Sequence, residues 1–442
     1  MTLSAAFIDL RINGAEQFKE SVSEASNTKL YLSFGKAQPW SNDASPPAAN
    51  TCVGTINEIW DNMIGGKRIL GNDISHVIPR YNWVANTVYT AYDHLTTNLY
   101  DGNTNFYVLT SDWNVYKCIA NNYGAVSTIE PTSLNPATVT RQSDGYAWKY
   151  MYTVSDSEKL RFTTTSFIPV KTLTGNDGSL QWQVQSNAKS GAIESTLVID
   201  GGSNYNNVAN IVVTITGDGS FATANATINS ISNTVNAITM INPGTGYTYA
   251  TITITDTGTG SGANARAIIS YPGGHGSDPL YELGGKNIML NPRIRYDESG
   301  KLPVKNDYRQ IAILKDPYAQ GSNTSFSNNA FLQALSITTS GSGDYLLDEY
   351  VYQGPGLATA TFKGTVVDWD SGNNRLVLIN TEGTPTAAKT LVGAQSFVVR
   401  SISSVTSGEL EQYTGKVLYV DNFTPITRSS DQIEDYKIVI RF

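Results

Sequence analysis

The chain has 442 residues, of which 15% are charged; Lys plus Arg is 30 and Asp plus Glu is 38, for a net charge of −8. That length exceeds one typical core and predicts two to four domains. A sparsely charged, net acidic chain is not built as a primary nucleic-acid binder or for adhesion to anionic membrane, either of which needs a concentrated basic face.

Tyr is abundant at 25, beside 7 Trp. Most of these rings are expected on β-structure, where aromatics pack well on pleated surfaces, and a minority on contact surfaces. The two cysteines, Cys52 and Cys118, have no metal spacing and cannot make a disulfide framework, which suits a chain made in a reducing cytoplasm. The opening MTLSAAFIDLRING has no basic n-region, so no signal peptide is expected. No apolar run approaches ~18 residues, so no bilayer-spanning segment is expected.

In chain order, residues 5–12 read as a strand. Asn13 and Glu16 form a cap-and-partner pair opening a short helix through about Ala25, with Phe18 and Val22 inward. LYLSF (30–34) reads as a strand stopped by Gly35 and broken by Pro39. TINEIWDNMIGG (55–66) reads as a helix. Thr55 is its N-cap and Glu58 the capping-box partner. Ile56, Ile59, Trp60 and Met63 make its apolar face, and Gly65 takes the left-handed C-terminal turn. HVIPRYNW (76–83) is extended, because Pro79 moves Ile78 away from helical angles. The stretch from Phe34 to Trp83 thus makes a rigid platform. Its exposed-type residues Trp40, Arg80, Tyr81 and Trp83 are the interface candidates.

NFYVLT (105–110) and NVYKCIA (114–120) read as short aromatic strands, and residues 121–143 as surface loop. YAWKYMYTV (146–154) carries aromatics on both faces and reads as a central strand, with Phe162 to Leu173 continuing its sheet. Residues 193–270 are an internal duplication. IDGGSNY (199–205), NIVVTIT (210–216) and ATANATI (222–228) recur as INPGTGY (241–247), TITITDT (251–257) and ANARAII (263–269). Ala222, Ala224 and Ala226 stand 41 residues before Ala263, Ala265 and Ala267, while Tyr205 and Tyr247 are 42 apart. Period-two alternation makes each copy β, and two copies are too few for a solenoid, so one compact all-β domain with pseudo-twofold character is expected. GGHGSDP (273–279) is a return loop, and DYRQIAIL (307–314) brings the chain back to the main sheet. Residues 320–330 read as a linker. EYVYQG (349–354), ATFKGTVVDWD (360–370), NRLVLIN (374–380) and QSFVVRSI (395–402) read as four strands of a small barrel or sandwich, and KVLYVDN (416–422) and YKIVIRF (436–442) close the main domain.

The expected architecture is mostly β with a few short helices. A discontinuous α+β main domain (1–184, 276–324 and 408–442) carries two inserted all-β domains, 185–275 and 325–407.

No catalytic, cofactor-binding or metal site emerges. His76, His94 and His275 fit no two-His ligand spacing. His275 shares a glycine-rich loop with Asp278, an arrangement open to ion binding or proton transfer, but a tight turn in which the glycines matter is the better reading. TGTGSG (257–262) precedes a strand pattern, whereas phosphate binding needs a helix N-terminus there. Asp368 and Asp370 flank a hairpin loop and read as turn residues. Arg80 and Arg309 are candidates for buried or interfacial pairs.

FGKAQPW (34–40), Pro46-Pro47, the Thr55 helix and VIPRYNW (77–83) occur in the order seen in the gene-eight-type baseplate wedge subunit of T-even-like contractile-tailed bacteriophages, which this chain resembles. DGYAWKYMYTV (144–154), DYRQIAILKDP (307–317) and residues 415–442 match the same family in the same order. The blocks at about 185–275 and 325–407 have no counterpart there. The resemblance implies a non-enzymatic structural subunit of the virion's tail baseplate, assembled in the host cytoplasm. It implies a homodimer within each wedge that contacts other baseplate wedge proteins, with no cofactor, nucleic acid or membrane. Such a brace would move largely as a rigid body on tail contraction. The alternative is a tail-fibre or spike-type carbohydrate-binding protein, suggested by the Gly/Thr/Asn-rich duplication. A polysaccharide-degrading enzyme needs a convergent acid pair that the sequence does not name.

Overall fold

LYLSFG (Leu30–Gly35) is buried at all six positions. Such a strand needs main-chain partners on both edges, because its amides and carbonyls have no water to turn to. In the computed structural model, which describes residues 7–22, 28–50, 52–100, 104–296, 298, 302–304, 306–429 and 431–442, it finds them. Tyr31 pairs with Arg68 on one side and Leu314 on the other, both antiparallel. The five-stranded sheet runs in the order Ala330–Leu332, Met63–Ile69, Leu30–Gly35, Asp307–Lys315, Lys416–Thr427. The molecule is mostly β, with five α-helices among the described residues.

Two compact units divide the chain. One runs through Glu16, from Ser75 to Met289 and from Val439 to Phe442; the other takes Gln17–Ile74 and Leu290–Ile438. The duplicated segment falls inside the first and the segment 325–407 inside the second.

The second unit holds the LYLSF sheet and a closed barrel. Tyr31, Trp60, Phe331 and Leu410 share one core, with Trp60 supplied by the helix Val53–Asn62. That helix starts two residues before Thr55. Cys52 stands at its cap and makes no side-chain bond to the first-turn amides; its Sγ lies 3.3 Å from the Thr55 hydroxyl, which donates to Asn50 Oδ1 at 2.8 Å. Nor does Gly65 turn left-handed. Met63 enters a strand directly, and Gly65 lies within it, where a side chain would meet the Phe331 carbonyl at 2.7 Å. The glycine serves close strand packing, so its signal was misassigned to a helix end. The barrel closes in the order Leu335–Ser340, Arg375–Gly383, Phe362–Asp370, Tyr350–Gln353, Thr390–Gly393, Val399–Thr406. Four of these strands match sequence expectations; Leu335–Ser340 and Thr390–Gly393 carry no aromatic residue and few apolar ones to mark them as strands.

In the first unit, Tyr146–Thr153 lies between Asn114–Asn121 and Thr140–Arg141, the internal position its two aromatic faces predict. Two expectations fail here. Residues 8–21 are a helix, not a strand, and Asn13 lies inside it. Ile12 and Ala15 are its buried residues, a helical spacing that the short alternation at its start masked. The expected helix end at Ala25 lies outside the described residues. The segment after Tyr146–Thr153 does not continue the sheet. Ser155 and Glu158 close a capping box and start the helix Asp156–Phe162. Phe167–Pro169 then pairs with Val77–Pro79 in a different sheet, ordered Ile438–Arg441, Asn287–Leu290, Ile74–Pro79, Phe167–Pro169. The closing strand is therefore held in a sheet, but not in the one containing LYLSF.

The duplication folds as a swapped pair. Ile193–Ser203 pairs with Ser261–Ile269, and the equivalent strands Thr234–Asn242 and Thr223–Asn229 pair with each other. Ile211–Gly217 pairs with its own duplicate, Ala250–Asp256. Each copy thus completes the other. Tyr205 of the first packs on Gly260 of the second, and Tyr247 of the second packs on Gly219 of the first. The two hydroxyls accept from equivalent amides, Ala263 N at 3.3 Å and Ala222 N at 3.4 Å. Both rings are buried in one core with Ala224, Ala226, Ala265 and Ala267, whose small side chains let the layers approach.

This symmetry is testable. Gly219→Ala and Gly260→Ala each drive a methyl into a buried tyrosine ring, so each should cost about 1–3 kcal/mol. Equivalence predicts similar losses for the two, read by chemical denaturation. One large and one negligible loss would refute the swapped packing.

Candidate functional site

Three kinds of group could carry function: the four aromatic and arginine candidates read from the sequence, the histidine loop, and apolar side chains left in water. Trp40 belongs to the second unit and Arg80, Tyr81 and Trp83 to the first.

Trp40 is half-buried. Its amide donates to Asp43 Oδ1 at 2.8 Å, its Nε1 donates to the Phe423 carbonyl at 3.2 Å, and Lys36 Nζ lies 5.2 Å from the ring centroid. The loop is anchored by Arg309, which is 4% exposed and grips Asp43 with Nε at 3.0 Å and Nη2 at 2.9 Å. This is the bidentate geometry that favours arginine over lysine. A further bond from Nη1 reaches the Ala37 carbonyl. The Arg309 bonds hold the Asp43 carboxyl below its ordinary range.

Arg80 donates through Nε to Asn82 Oδ1 at 2.8 Å and through Nη1 to the Thr164 carbonyl at 3.1 Å, and it lies over the Trp113 ring at 5.1 Å. Tyr81 sits 5.3 Å from Tyr107, and burial raises its phenol pKa. Trp83 Nε1 donates to Ser127 Oγ at 3.2 Å. Alternation along the extended chain thus sends these three neighbours to different surroundings. Each is anchored within its unit and presents part of its surface outward.

His275 is not paired with Asp278. Asp278 caps the short helix Pro279–Glu282 by accepting from Tyr281 N at 3.2 Å, and it takes a bond from the Thr172 hydroxyl. The partner of His275 is Glu282, at 2.8 Å between Nδ1 and Oε1. Lys117 reaches the same oxygen at 2.6 Å, sits 3.2 Å from His275 Nδ1, and lies 3.7 Å from the Tyr92 ring centroid. Glu282 Oε2 accepts from Gly276 N at 2.6 Å. Lys117 and Glu282 are both 0% exposed and His275 4%.

Burial alone would raise the Glu282 pKa, but Lys117 and His275 outweigh it and hold the carboxyl at about 2. Burial, aided by Lys117, pushes the His275 imidazole below its ordinary value. A neutral imidazole then donates from Nδ1 to Glu282. With Lys117 and Glu282 fully enclosed, this trio clamps the strand Asn114–Asn121 to the glycine-rich loop. The glycines matter too: Gly276 has φ 89°, and a side chain there would strike Val184.

The other histidines are also structural. His76 Nδ1 lies 2.9 Å from the Gly285 carbonyl, and His94 Nδ1 accepts from Ile269 N at 3.3 Å. Residues 257–262 lead into a strand rather than a helix, and Asp370 caps its turn through Asn373. No cluster of three His, Cys, Asp or Glu side chains is placed to hold a metal among the described residues. No helix of the described residues is long and apolar enough to cross a membrane.

One candidate was missed. Phe221 is 75% exposed with φ 66°, a left-handed geometry that costs a side-chain-bearing residue roughly 1–2 kcal/mol. At the 41-residue offset its duplicate is Gly262, with φ 83°. One copy keeps the residue that fits this backbone; the other carries a strained, solvent-facing ring at the same position. Aligning the two copies residue by residue exposes this in the sequence.

Comparison with known proteins follows the platform. Residues 4–129 match a family described as Bacteriophage T4, Gp8. A relative, baseplate wedge protein gp8 of Enterobacteria phage T4, is 21% identical over 196 residues, covering 35% of this chain and 59% of the relative. The chain thus spans a little over half the length of the curated relative it matches. Both findings carry the resemblance read from the sequence.

Two outcomes are expected. Glu282→Gln leaves Lys117 buried without its counter-charge and should cost about 3–5 kcal/mol. In the native protein the Glu282 contribution is present above the unfolded carboxylate pKa of about 4.3 and lost as pH falls toward about 2. The His275 contribution has the same sign and is lost below about pH 6.5, where the unfolded imidazole takes up a proton first. Denaturation midpoints measured across pH check both, and the variant should lack the lower acid limb. Separately, Phe221→Gly should leave stability unchanged or raise it by up to about 1 kcal/mol, whereas Gly262→Phe should lower it by about 1–2 kcal/mol.

Proposed function

We propose that this chain is a structural, non-enzymatic subunit of a contractile-tail baseplate wedge. The observation that carries the reading is the match of residues 4–129 to the family of the T4 wedge protein. That stretch supplies the central strand Leu30–Gly35, the helix Val53–Asn62 and the strand Ile74–Pro79.

The mechanism is mechanical. A subunit that transmits a rearrangement must keep its own shape while its interfaces change, because packed cores are bistable at interfaces rather than continuously deformable. The Arg309–Asp43 grip and the Lys117–Glu282–His275 clamp suit such a part: both fix surface loops to buried strands. In this reading Trp40, Arg80, Tyr81 and Trp83 frame contacts with neighbouring wedge proteins, and Phe221 adds one from the duplicated segment. A second copy is the proposed first partner, as a homodimer. The segments 185–275 and 325–407 are proposed as insertions that enlarge the surface the wedge presents. Assembly would take place in the host cytoplasm.

Solution mass and recovery from tails test this. The purified chain should sediment as a dimer and be detected in isolated tails of its phage. Phe221→Gly should fold normally yet be incorporated less well. A monomer absent from tails would overturn the reading.

A further inference from the structure

A cleft of about 470 Å³ in the first unit is lined by Arg11, Lys286 and Arg441 but by no Asp or Glu. In a chain of net charge −8, three cations around one cleft run against the general balance. The volume lies within the range of small-ligand sites, about 300–1,000 Å³.

A second, independent feature points inward. Asn287 lines the cleft, is only 4% exposed, and makes no side-chain hydrogen bond among the described residues. Its amide, with two donors and an acceptor, is therefore free to bond to something arriving in the cleft. Around it the cations differ in commitment. Arg11 Nε donates to the main-chain oxygen of Phe442, and Lys286 Nζ donates to the Tyr100 carbonyl at 3.0 Å. Arg441 is exposed and has no hydrogen-bond or ion-pair partner among the described residues. Tyr81, one of the platform candidates, forms part of the wall.

We infer that this cleft receives an acidic peptide segment of a neighbouring tail protein, its carboxylate set between Lys286 and Arg441 and hydrogen-bonded by Asn287. The identity of the occupant rests on the baseplate reading; the anion preference rests on the cleft itself. The walls favour a peptide over a sugar. Tyr100 meets Phe106 at 87°, and Phe106 meets Tyr107 at 89°, so these rings are engaged edge-to-face with one another. Rings committed in that way do not form the open flat platform on which a pyranose stacks. They do leave positive ring edges, which suit carboxylate oxygens. Charge pairs at a partly open site also respond to salt, which gives a second readout.

The test titrates the full chain with acetyl-Leu-Asp-Glu-Leu-amide, with its Asn-Gln isostere, and with glucuronate, read by calorimetry at low and high salt. The acidic peptide should bind, weaken as salt rises, and exceed its neutral isostere. Lys286→Met with Arg441→Gln, both outside the buried core, should weaken it about 5- to 20-fold without changing the denaturation midpoint. Asn287→Ala should weaken the peptide and its isostere alike. Equal binding of peptide and isostere, no binding at all, or an unaffected double variant would overturn the inference; tighter glucuronate binding would assign the cleft to acidic saccharides instead. Because the reading as a tail subunit is tested by recovery from tails, a chain found in tails but indifferent to the peptide would sink the cleft alone.

Discussion

A strand sealed on both faces must satisfy every amide and carbonyl from strands beside it, and here the partners come from far along the chain. Leu30–Gly35 is completed by Asp307–Lys315, and that strand in turn by Lys416–Thr427. In the first unit, Ile74–Pro79 lies beside Asn287–Leu290, which is completed by Ile438–Arg441. Each unit is therefore closed only when the late part of the chain arrives. Loop-closure entropy makes such pairings slow to form, and burial on both faces makes them costly to open once formed.

Charges follow the same logic. Only 15% of residues are charged, yet several of those charges are inside. Lys117 and Glu282 are fully enclosed, Arg309 is 4% exposed and Arg428 1%. Arg428 donates to Glu434 at 3.2 Å and to the carbonyls of Pro303 at 2.8 Å and Arg295 at 3.0 Å. Buried ion pairs contribute little net stability against an apolar alternative, but breaking one is severe because the survivor is stranded. Their effect is to make one geometry far better than its neighbours. Each ties a loop to a sheet: Arg309 holds the loop after LYLSF, and Glu282 holds the glycine-rich loop through Gly276 and His275.

Strands announced themselves in the sequence where apolar and aromatic residues clustered between turn residues. NVYKCIA, YAWKYMYTV and DYRQIAIL are all strands, and the duplication was visible down to its alanines. What failed were the boundaries that glycine and asparagine were asked to set. Gly65 sits inside a strand and Asn13 inside a helix, because a glycine can mark close packing as well as a turn, and tertiary burial overrides weak local preference. The partner of His275 was also out of reach. Asp278 is three residues away, but the helix that Asp278 caps brings Glu282 beneath the imidazole, and Lys117 arrives from a strand 158 residues earlier. Only a fold can juxtapose those.

The stretch that matches the wedge family threads through both units, contributing Leu30–Gly35 to one and Ile74–Pro79 to the other. The duplicated strands and the barrel strands behave differently. The barrel strands pair only among themselves, and so do the six strands of the duplication. A segment whose hydrogen bonds are satisfied internally can lengthen or change without breaking a ladder elsewhere, whereas a change in register at Tyr31 would disturb Arg68 and Leu314 together. The duplication adds a further degree of freedom. Since each copy supplies the other's tyrosine and glycine, both must keep their cores, but their surfaces are independent. Phe221 stands where Gly262 shows the relaxed choice, so at this position the two copies differ in a solvent-facing side chain on equivalent backbone. In a molecule whose framework is fixed by long-range ladders, these self-contained segments are where new contacts can arise at least structural cost.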